Sequence, residues 1–314
     1  MLPVAGRFCT VGGSRSQCGV HMFDFVRGRI GLIRGGRYPH CHTVAVDDRR
    51  RVLIDASSDR EKLISFRNER EVDILITSHA HEDHILYNSL FPDARFWVHG
   101  LDAPPFSDIR SLIDQYGLTV EEALFWEDFL VRECNYVPRV PDRLLGDGER
   151  LDFGDTRAIV IHAPGHTPGH CCFLFPEEGI LFLADYDLVK AGPYYGDIGS
   201  SLDDTIKSLQ RLTAISAEVY LTAHGAGVFD ASPDLIEGYL GIIFRREERL
   251  LDLLAAGPKT LDEITAEGII YGRPKSLGAW DLAASERMMM RKHLERLIEQ
   301  ARVTVDDGRH FLLS

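Results

Sequence analysis

A short apolar run that ends on an aspartate or histidine recurs along this 314-residue chain, and that recurrence constrains the fold more than any single motif. Arg51-Val52-Leu53-Ile54 ends at Asp55, and Val72-Asp73-Ile74-Leu75-Ile76 leads into His79-Ala80-His81-Glu82-Asp83-His84. Ala158-Ile159-Val160-Ile161 leads into Ala163-Pro164-Gly165-His166-Thr167-Pro168-Gly169-His170. Gly179 to Ala184 runs straight into Asp185, and Glu218 to Ala223 runs straight into His224. Short apolar runs bounded by turn residues read as buried strands, and side chains at their C-terminal ends can converge on one cleft.

The six residues from His79 to His84 hold four metal-ligand side chains, and imidazole with carboxylate suits borderline divalent ions such as zinc. On an extended segment, residues two apart share a face, so His79 and His81 can chelate one ion. Asp83 and His84 diverge from that pair and can serve a second ion as the chain turns into a helix expected from Ile85 to Leu90.

With these motifs in order from Asp55 to His224, the chain resembles the metallo-β-lactamase-fold hydrolase superfamily over roughly residues 25 to 235. The resemblance implies an α/β fold, a four-layer αβ/βα sandwich. It implies that His79, His81 and His166 hold one metal, that Asp83, His84 and His224 hold a second, and that Asp185 bridges them. The cofactors are then two divalent ions, zinc foremost, with iron or manganese as alternatives. Two metals about 3.5–4 Å apart generate a shared hydroxide near neutral pH that attacks a carbonyl or phosphorus. Asp83, the nonbridging carboxylate of the set, is the expected proton acceptor. Asp55 either orients the ligand loop or a ligand imidazole, or simply ends its strand in a turn. His170 is expected to hydrogen-bond within its Gly/Pro loop.

The remaining histidines (21, 40, 42, 99, 162, 293 and 310) lack partners at ligand spacing and read as surface or satisfied core residues. Cysteines 9, 18, 41, 134, 171 and 172 show no Cys-x-x-Cys spacing, and reduced, buried thiols are expected; an ion clip of Cys9, Cys18 and His21 is not favoured. Gly12 to Ser16 is loop-like and lacks the Gly-Lys-Ser/Thr ending of a phosphate-binding loop.

Phe23 to Ile33 reads as a strand pair turning at Arg27-Gly28-Arg29, and Cys41 to Val46 with Arg51 to Ile54 as a hairpin. Helices are expected at Asp108–Tyr116 and Val120–Cys134, where they either wall the cleft or form ordinary outer packing. Between Asp185 and a helix at Leu202–Ile215 lies a glycine- and tyrosine-rich loop, on which Tyr194 and Tyr195 either meet the substrate or pack.

Beyond about residue 235 the rhythm changes, giving an expected catalytic domain 1–235 and a second domain 236–314. The second holds a helix at Arg245–Ala255, a capping box at Thr260-Leu261-Asp262-Glu263, a helix at Ser285–Ile298 and a hairpin around Asp306-Asp307-Gly308. Three helices and a hairpin resemble a winged helix, as attached to the lactamase-beta-like protein 2 group, some of which are endoribonucleases.

A formal charge of −13 argues against a generally basic nucleic-acid surface. Residues 236–314 carry 12 Lys+Arg against 13 Asp+Glu, so the acidic excess lies in the first domain. Packing or cleft-shaping is therefore favoured over RNA contact for the second. No apolar run is long enough to span a bilayer and no signal core follows the start, so a cytoplasmic location is expected. The leading expectation is a hydrolase of a small thioester, ester or lactone. A metal-dependent endoribonuclease or phosphodiesterase and an iron-binding redox protein are the alternatives. Expected partners are a small-molecule substrate, with nucleic acid less favoured, no membrane, and self-association into a homo-oligomer left open.

Overall fold

The computed structural model describes residues 22–273 and 282–313; the expectations for Gly12 to Ser16 and for Cys9, Cys18 and His21 lie outside them. The chain opens with β1 (Phe25–Arg27), β2 (Ile30–Ile33), β3 (Thr43–Asp47) and β4 (Arg51–Ile54), then α1 (Arg60–Glu69), β5 (Ile74–Ile76) and β6 (Arg95–His99). Helices α2 (Pro104–Ser107), α3 (Ile109–Asp114) and α4 (Val120–Arg132) precede β7 (Arg143–Leu145). These seven strands form one sheet in sequence order. Their pairing is antiparallel from β1 to β4 and parallel from β4 to β7.

The second sheet contains β8 (Arg150–Asp152), β9 (Arg157–His162), β10 (Cys171–Phe175), β11 (Ile180–Phe182), β12 (Val219–Leu221) and β13 (Val228–Asp230), with α5 (Leu202–Thr213) between β11 and β12. Ile30, Val44, Ile54 and Ile76 from the first sheet share one buried cluster with Val160, Phe173, Phe182 and Leu221 from the second. The outer face of the first sheet is covered by α1 to α4 through Leu63, Phe66, Leu112 and Leu130. The outer face of the second is covered by α5 and by α6 (Pro233–Ala255), through Leu209, Leu212, Ile236 and Ile243. The result is the expected α/β four-layer sandwich. Opposed sheet faces bury apolar strands that could not be exposed to water.

Two 3₁₀ turns, Glu82–His84 and Asn88–Leu90, stand where a helix from Ile85 to Leu90 was expected. The correction has a backbone cause: Tyr87 N donates to Ala56 O and Leu86 N to Ser57 Oγ, so donors that a helix would turn inward are taken by the loop after β4. The helices after β6 form as expected, α3 capped by Asp108 and α4 by a Thr119/Glu122 capping box.

The expected division at 235/236 falls in the first turn of α6. The N-terminal half of that helix packs on α5, and Leu250 and Leu254 of its C-terminal half enter a separate cluster. That cluster also takes Ile264 of α7 (Leu261–Glu267), Leu294 of α8 (Leu282–Glu299) and Val303 of β15 (Val303–Asp306). Strand β16 (Arg309–Leu312) pairs with β15 and with β14 (Lys259–Thr260), a two-residue strand that extends the expected hairpin to three strands. No helix among the described residues is long and apolar enough to cross a membrane.

Candidate metal centre

The C-terminal ends of β5, β9, β11 and β12 all open at the same rim of the sandwich, because β4 to β6 run parallel and β11 runs parallel to β12. Their loops bring together all seven residues expected as ligands. His79 Nε2 lies 3.1 Å from His81 Nδ1, and His166 Nε2 lies 3.2 and 3.0 Å from those two atoms. Asp185 turns its Oδ2 toward this trio, 3.2 Å from His166 Nε2, and its Oδ1 toward His84 Nε2 at 2.9 Å and His224 Nε2 at 3.4 Å. Asp83 completes the second group, with Oδ2 3.4 Å from His224 Nε2.

The donor set fits two cations. A tetrahedral ion with ligands at about 2.0–2.1 Å separates neighbouring donor atoms by roughly 3.3 Å, close to the spacing of the imidazole trio. Three imidazole nitrogens cannot satisfy one another as donors at that spacing, whereas their lone pairs can share a cation. The buried His84 Nε2 and Asp185 Oδ1 make no hydrogen bond among the described residues, which is what ligand atoms facing an ion require.

The loops that carry these groups are held by strained or close-packed backbone. Asp55 (φ 57°) and Ala184 (φ 50°) are both left-handed, one at the end of β4 and the other just before Asp185. Gly165 has φ 131°, and a Cβ there would meet Thr205 N at 2.3 Å, so the turn before His166 has no room for a side chain against α5.

Asp55 accepts from Ser78 N and Ser78 Oγ, each at 2.7 Å, and its Oδ2 lies 3.0 Å from His84 Nδ1. It therefore ties down the loop that carries His79 and His81 and faces the His84 ring as an ion-pair partner. His170 donates from Nδ1 to Ala163 O at 3.0 Å and accepts from Asp185 N at 3.2 Å. Burial, reinforced by the nearby His166, pushes its pKa down to about 3, consistent with the neutral ring this pairing needs.

Four acidic residues at the site were not singled out in the sequence. Asp197 Oδ2 lies 2.7 Å from His81 Nε2; burial opposes charge on that ring, but Asp197 overcomes it and pushes His81 up to about 9. Asp187 accepts from His224 N at 2.8 Å and is itself pushed up to about 7, chiefly by burial. Asp102 accepts from Ala80 N, Thr167 Oγ1 and Gly169 N, stitching the two histidine loops together. Glu82 accepts from Tyr38 Oη at 2.6 Å and from Tyr116 Oη. Asp187, two residues beyond Asp185, and Glu82, inside the His79–His84 cluster, stand next to expected ligands in sequence; Asp102 and Asp197 come from distant loops.

The profile of the metallo-beta-lactamase superfamily matches residues 35–224. The chain belongs to the metallo-beta-lactamase superfamily. Within that superfamily it is 31% identical over 166 residues to a hydroxyacylglutathione hydrolase of Rhizobium meliloti (strain 1021), covering 52% of each chain. It is 28% identical over 179 residues to an atrochrysone carboxyl ACP thioesterase of Pseudocercospora fijiensis (strain CIRAD86), covering 55% of this chain and 49% of that one. The chain thus spans about half the length of these curated relatives. The crystal structure of a metallo-beta-lactamase family protein from Thermus thermophilus shares the fold over 90% of this chain and 98% of its own, with a TM-score of 0.69 at 23% identity.

Of the two tyrosines considered for substrate contact, Tyr195 is corrected. It is fully buried, and its hydroxyl bonds Arg246 Nη1 of α6 at 2.7 Å and His293 Nε2 of α8 at 2.8 Å. It is a joint between the cleft loop and two helices, out of reach of a ligand. Tyr194 stays at the site: its carbonyl accepts from His166 Nδ1 at 3.0 Å and its hydroxyl donates to Asp197 Oδ1 at 3.0 Å. His162 Nε2 meets Pro168 O at 2.8 Å, as a satisfied histidine would; His293 is bonded at Nε2 by Tyr195 Oη, while its buried Nδ1 makes no hydrogen bond among the described residues and lies 3.6 Å from Glu247 Oε2. Cys41, Cys134, Cys171 and Cys172 are buried free thiols.

Proposed function

We propose that this chain is a dinuclear metal-dependent hydrolase of a small thioester, ester or lactone, holding zinc, with iron or manganese as alternative occupants. The observation that carries the reading is Asp185, whose two oxygens face two separate groups of imidazoles. When bound, the ions supply Lewis acidity toward water and toward an acyl carbonyl. The chain's own residues do the rest. Asp197 and Asp55 orient ligand rings, and Asp83, partly accessible at the rim, accepts the proton released as water attacks. The names of the relatives, a glutathione thioester hydrolase and an acyl carrier thioesterase, support the acyl class.

The lactamase-beta-like protein 2 layout and the winged-helix reading of residues 236–314 remain part of this proposal, with a structural role for the module. Three of the four basic residues on α8 are engaged within the chain: Arg287 pairs with Asp262, Lys292 donates to Ser200 O, and Arg296 pairs with Asp203 and Glu247, while Arg291 is exposed. Side chains engaged within the chain are poorly placed to form a track for RNA, which favours the small-molecule substrate over the ribonuclease alternative.

The test is metal analysis of the purified protein and of Asp185→Asn, followed by thioesters, lactones and structured RNA assayed side by side. A two-metal complement lost in the variant, with acyl cleavage, is expected. Cleavage of RNA alone, or no divalent metal in either protein, overturns the reading.

A further inference from the structure

We infer that Lys292, on the C-terminal helix α8, is a positioning residue of the candidate metal centre: its ammonium fixes the loop from which Asp197 aims the His81 ring. The inference rests on the two-metal part of the reading above and adds a residue far outside the ligand loops. Helix α8 touches the cleft loop at three points. His293 Nε2 meets Tyr195 Oη at 2.8 Å, Lys292 Nζ donates to Ser200 O at 2.7 Å, and Arg296 pairs with Asp203 in the first turn of α5. Lys292 and Arg296 are one turn apart, and Met289, one turn before Lys292, is buried in the cluster that holds Leu209 of α5 and Ile243 of α6. Apolar packing thus seats the helix, and its polar side chains reach the loop.

Asp197 stands between the first two of these points. Its carboxylate is engaged at both oxygens, Oδ1 by Tyr194 Oη at 3.0 Å and Oδ2 by His81 Nε2 at 2.7 Å. Its backbone is held by the buried Ser200: Asp197 N donates to Ser200 Oγ at 3.1 Å, and Ser200 N donates to Asp197 O at 3.2 Å. Ser200 Oγ also donates to His166 O at 2.7 Å, and the next residue, Ser201, donates from N to Gly165 O at 2.9 Å. Ser200 therefore binds Asp197 twice and the His166 turn once, and offers its carbonyl to Lys292. A charged donor holds such a carbonyl more strongly than a neutral one. Burial works against the ammonium, while the charges of Glu295 and Asp197 favour it. Lys292 thus acts on Asp197 by charge as well as through Ser200. Groups that orient a ligand imidazole tune metal affinity, so the effect of Lys292 is read at the metal.

The experiment titrates the full metal-free chain with Co(II), followed by visible absorption. Lys292→Met is expected to weaken one of the two binding steps by about tenfold or more and to leave the other unchanged. Lys292→Arg, which keeps a charged donor, should restore most of that affinity. Ser200→Ala should reproduce the loss, and the double variant should lose less than the product of the two single effects, because both act through one chain of contacts. Arg287→Met removes an ion pair with Asp262 on α7, away from the cleft loop, and should bind Co(II) as the wild type does. Unchanged affinity in Lys292→Met, or an equal loss in Arg287→Met, overturns the inference. If circular dichroism shows Lys292→Met unfolded, Ser200→Ala decides, and wild-type affinity in that variant overturns it. A wild-type chain that binds two Co(II) ions but cleaves no acyl substrate fails the hydrolase reading alone, with the inference still judged by the titration. A wild-type chain that binds no Co(II) overturns both.

Discussion

Asp197 Oδ2 sits 2.7 Å from His81 Nε2, and the next turn of the same loop is tied to the C-terminal helix, where Lys292 Nζ donates to Ser200 O at 2.7 Å. Ser200 Oγ in turn donates to His166 O at 2.7 Å and accepts from Asp197 N at 3.1 Å. One serine thus links two candidate ligand histidines to a helix more than ninety positions away in sequence. Partners of this kind set ring orientation and ligand basicity.

Asp197→Asn is therefore expected to weaken metal binding at the His79/His81/His166 group by about 10- to 100-fold while leaving the fold intact. Titration of the metal-free protein with Co(II), followed by its absorption, reads this directly. Equal affinity in both proteins would show that the contact does not tune the site.

Arg246 is buried and donates to Pro193 O, Ala191 O and Tyr195 Oη, pinning the cleft loop to α6. Arg246→Met leaves those acceptors unpaired, and a loss of about 2–3 kcal/mol of unfolding free energy is expected. Urea unfolding monitored by circular dichroism measures it; a change within experimental scatter would remove Arg246 from the list of anchors.

Gly165→Ala places a methyl group against Thr205 N while holding a residue at φ 131°. The displaced turn carries His166, so the variant is expected to bind fewer metal ions per chain as well as to unfold at lower temperature. Full metal occupancy in a folded variant would contradict this account of the loop.

Burial pushes His42 down to about 4 from an unfolded value of 6.5, with its Nδ1 accepting from Gly35 N at 2.9 Å. The unfolded chain takes up a proton that the folded chain resists. Stability from this group is therefore complete above pH 6.5 and is lost as pH falls from 6.5 toward 4. His42→Asn, which keeps an acceptor near the Nδ1 position, should show a shallower decline over that window in melts of the metal-free protein. Parallel curves for the two proteins would assign the acid sensitivity elsewhere.

Much of this protein was legible before folding. The apolar runs ending on Asp55, His79, His166, Asp185 and His224 carry their positions locally, because a buried strand and the residue at its end are encoded side by side. The same holds for the caps at Asp108, Thr119 and Thr260, each a contact spanning three residues. Local pattern failed at Ile85 to Leu90, where the loop after β4 captured backbone donors across a gap of some thirty residues.

The residues around the ligands were decided by tertiary structure alone. Asp197 reaches His81 across 116 positions, Asp102 reaches Gly169 across 67, and Tyr195 reaches His293 across 98. Nothing in periodicity or spacing distinguishes such an aspartate from a solvated one, since its role is created by the neighbours that folding supplies. The chain's sequence determined which side chains could hold metal and on which strand ends they stand. The packing of two sheets and the docking of α6 and α8 decided how those rings are aimed, because orientation depends on hydrogen bonds between segments that meet only in the folded state.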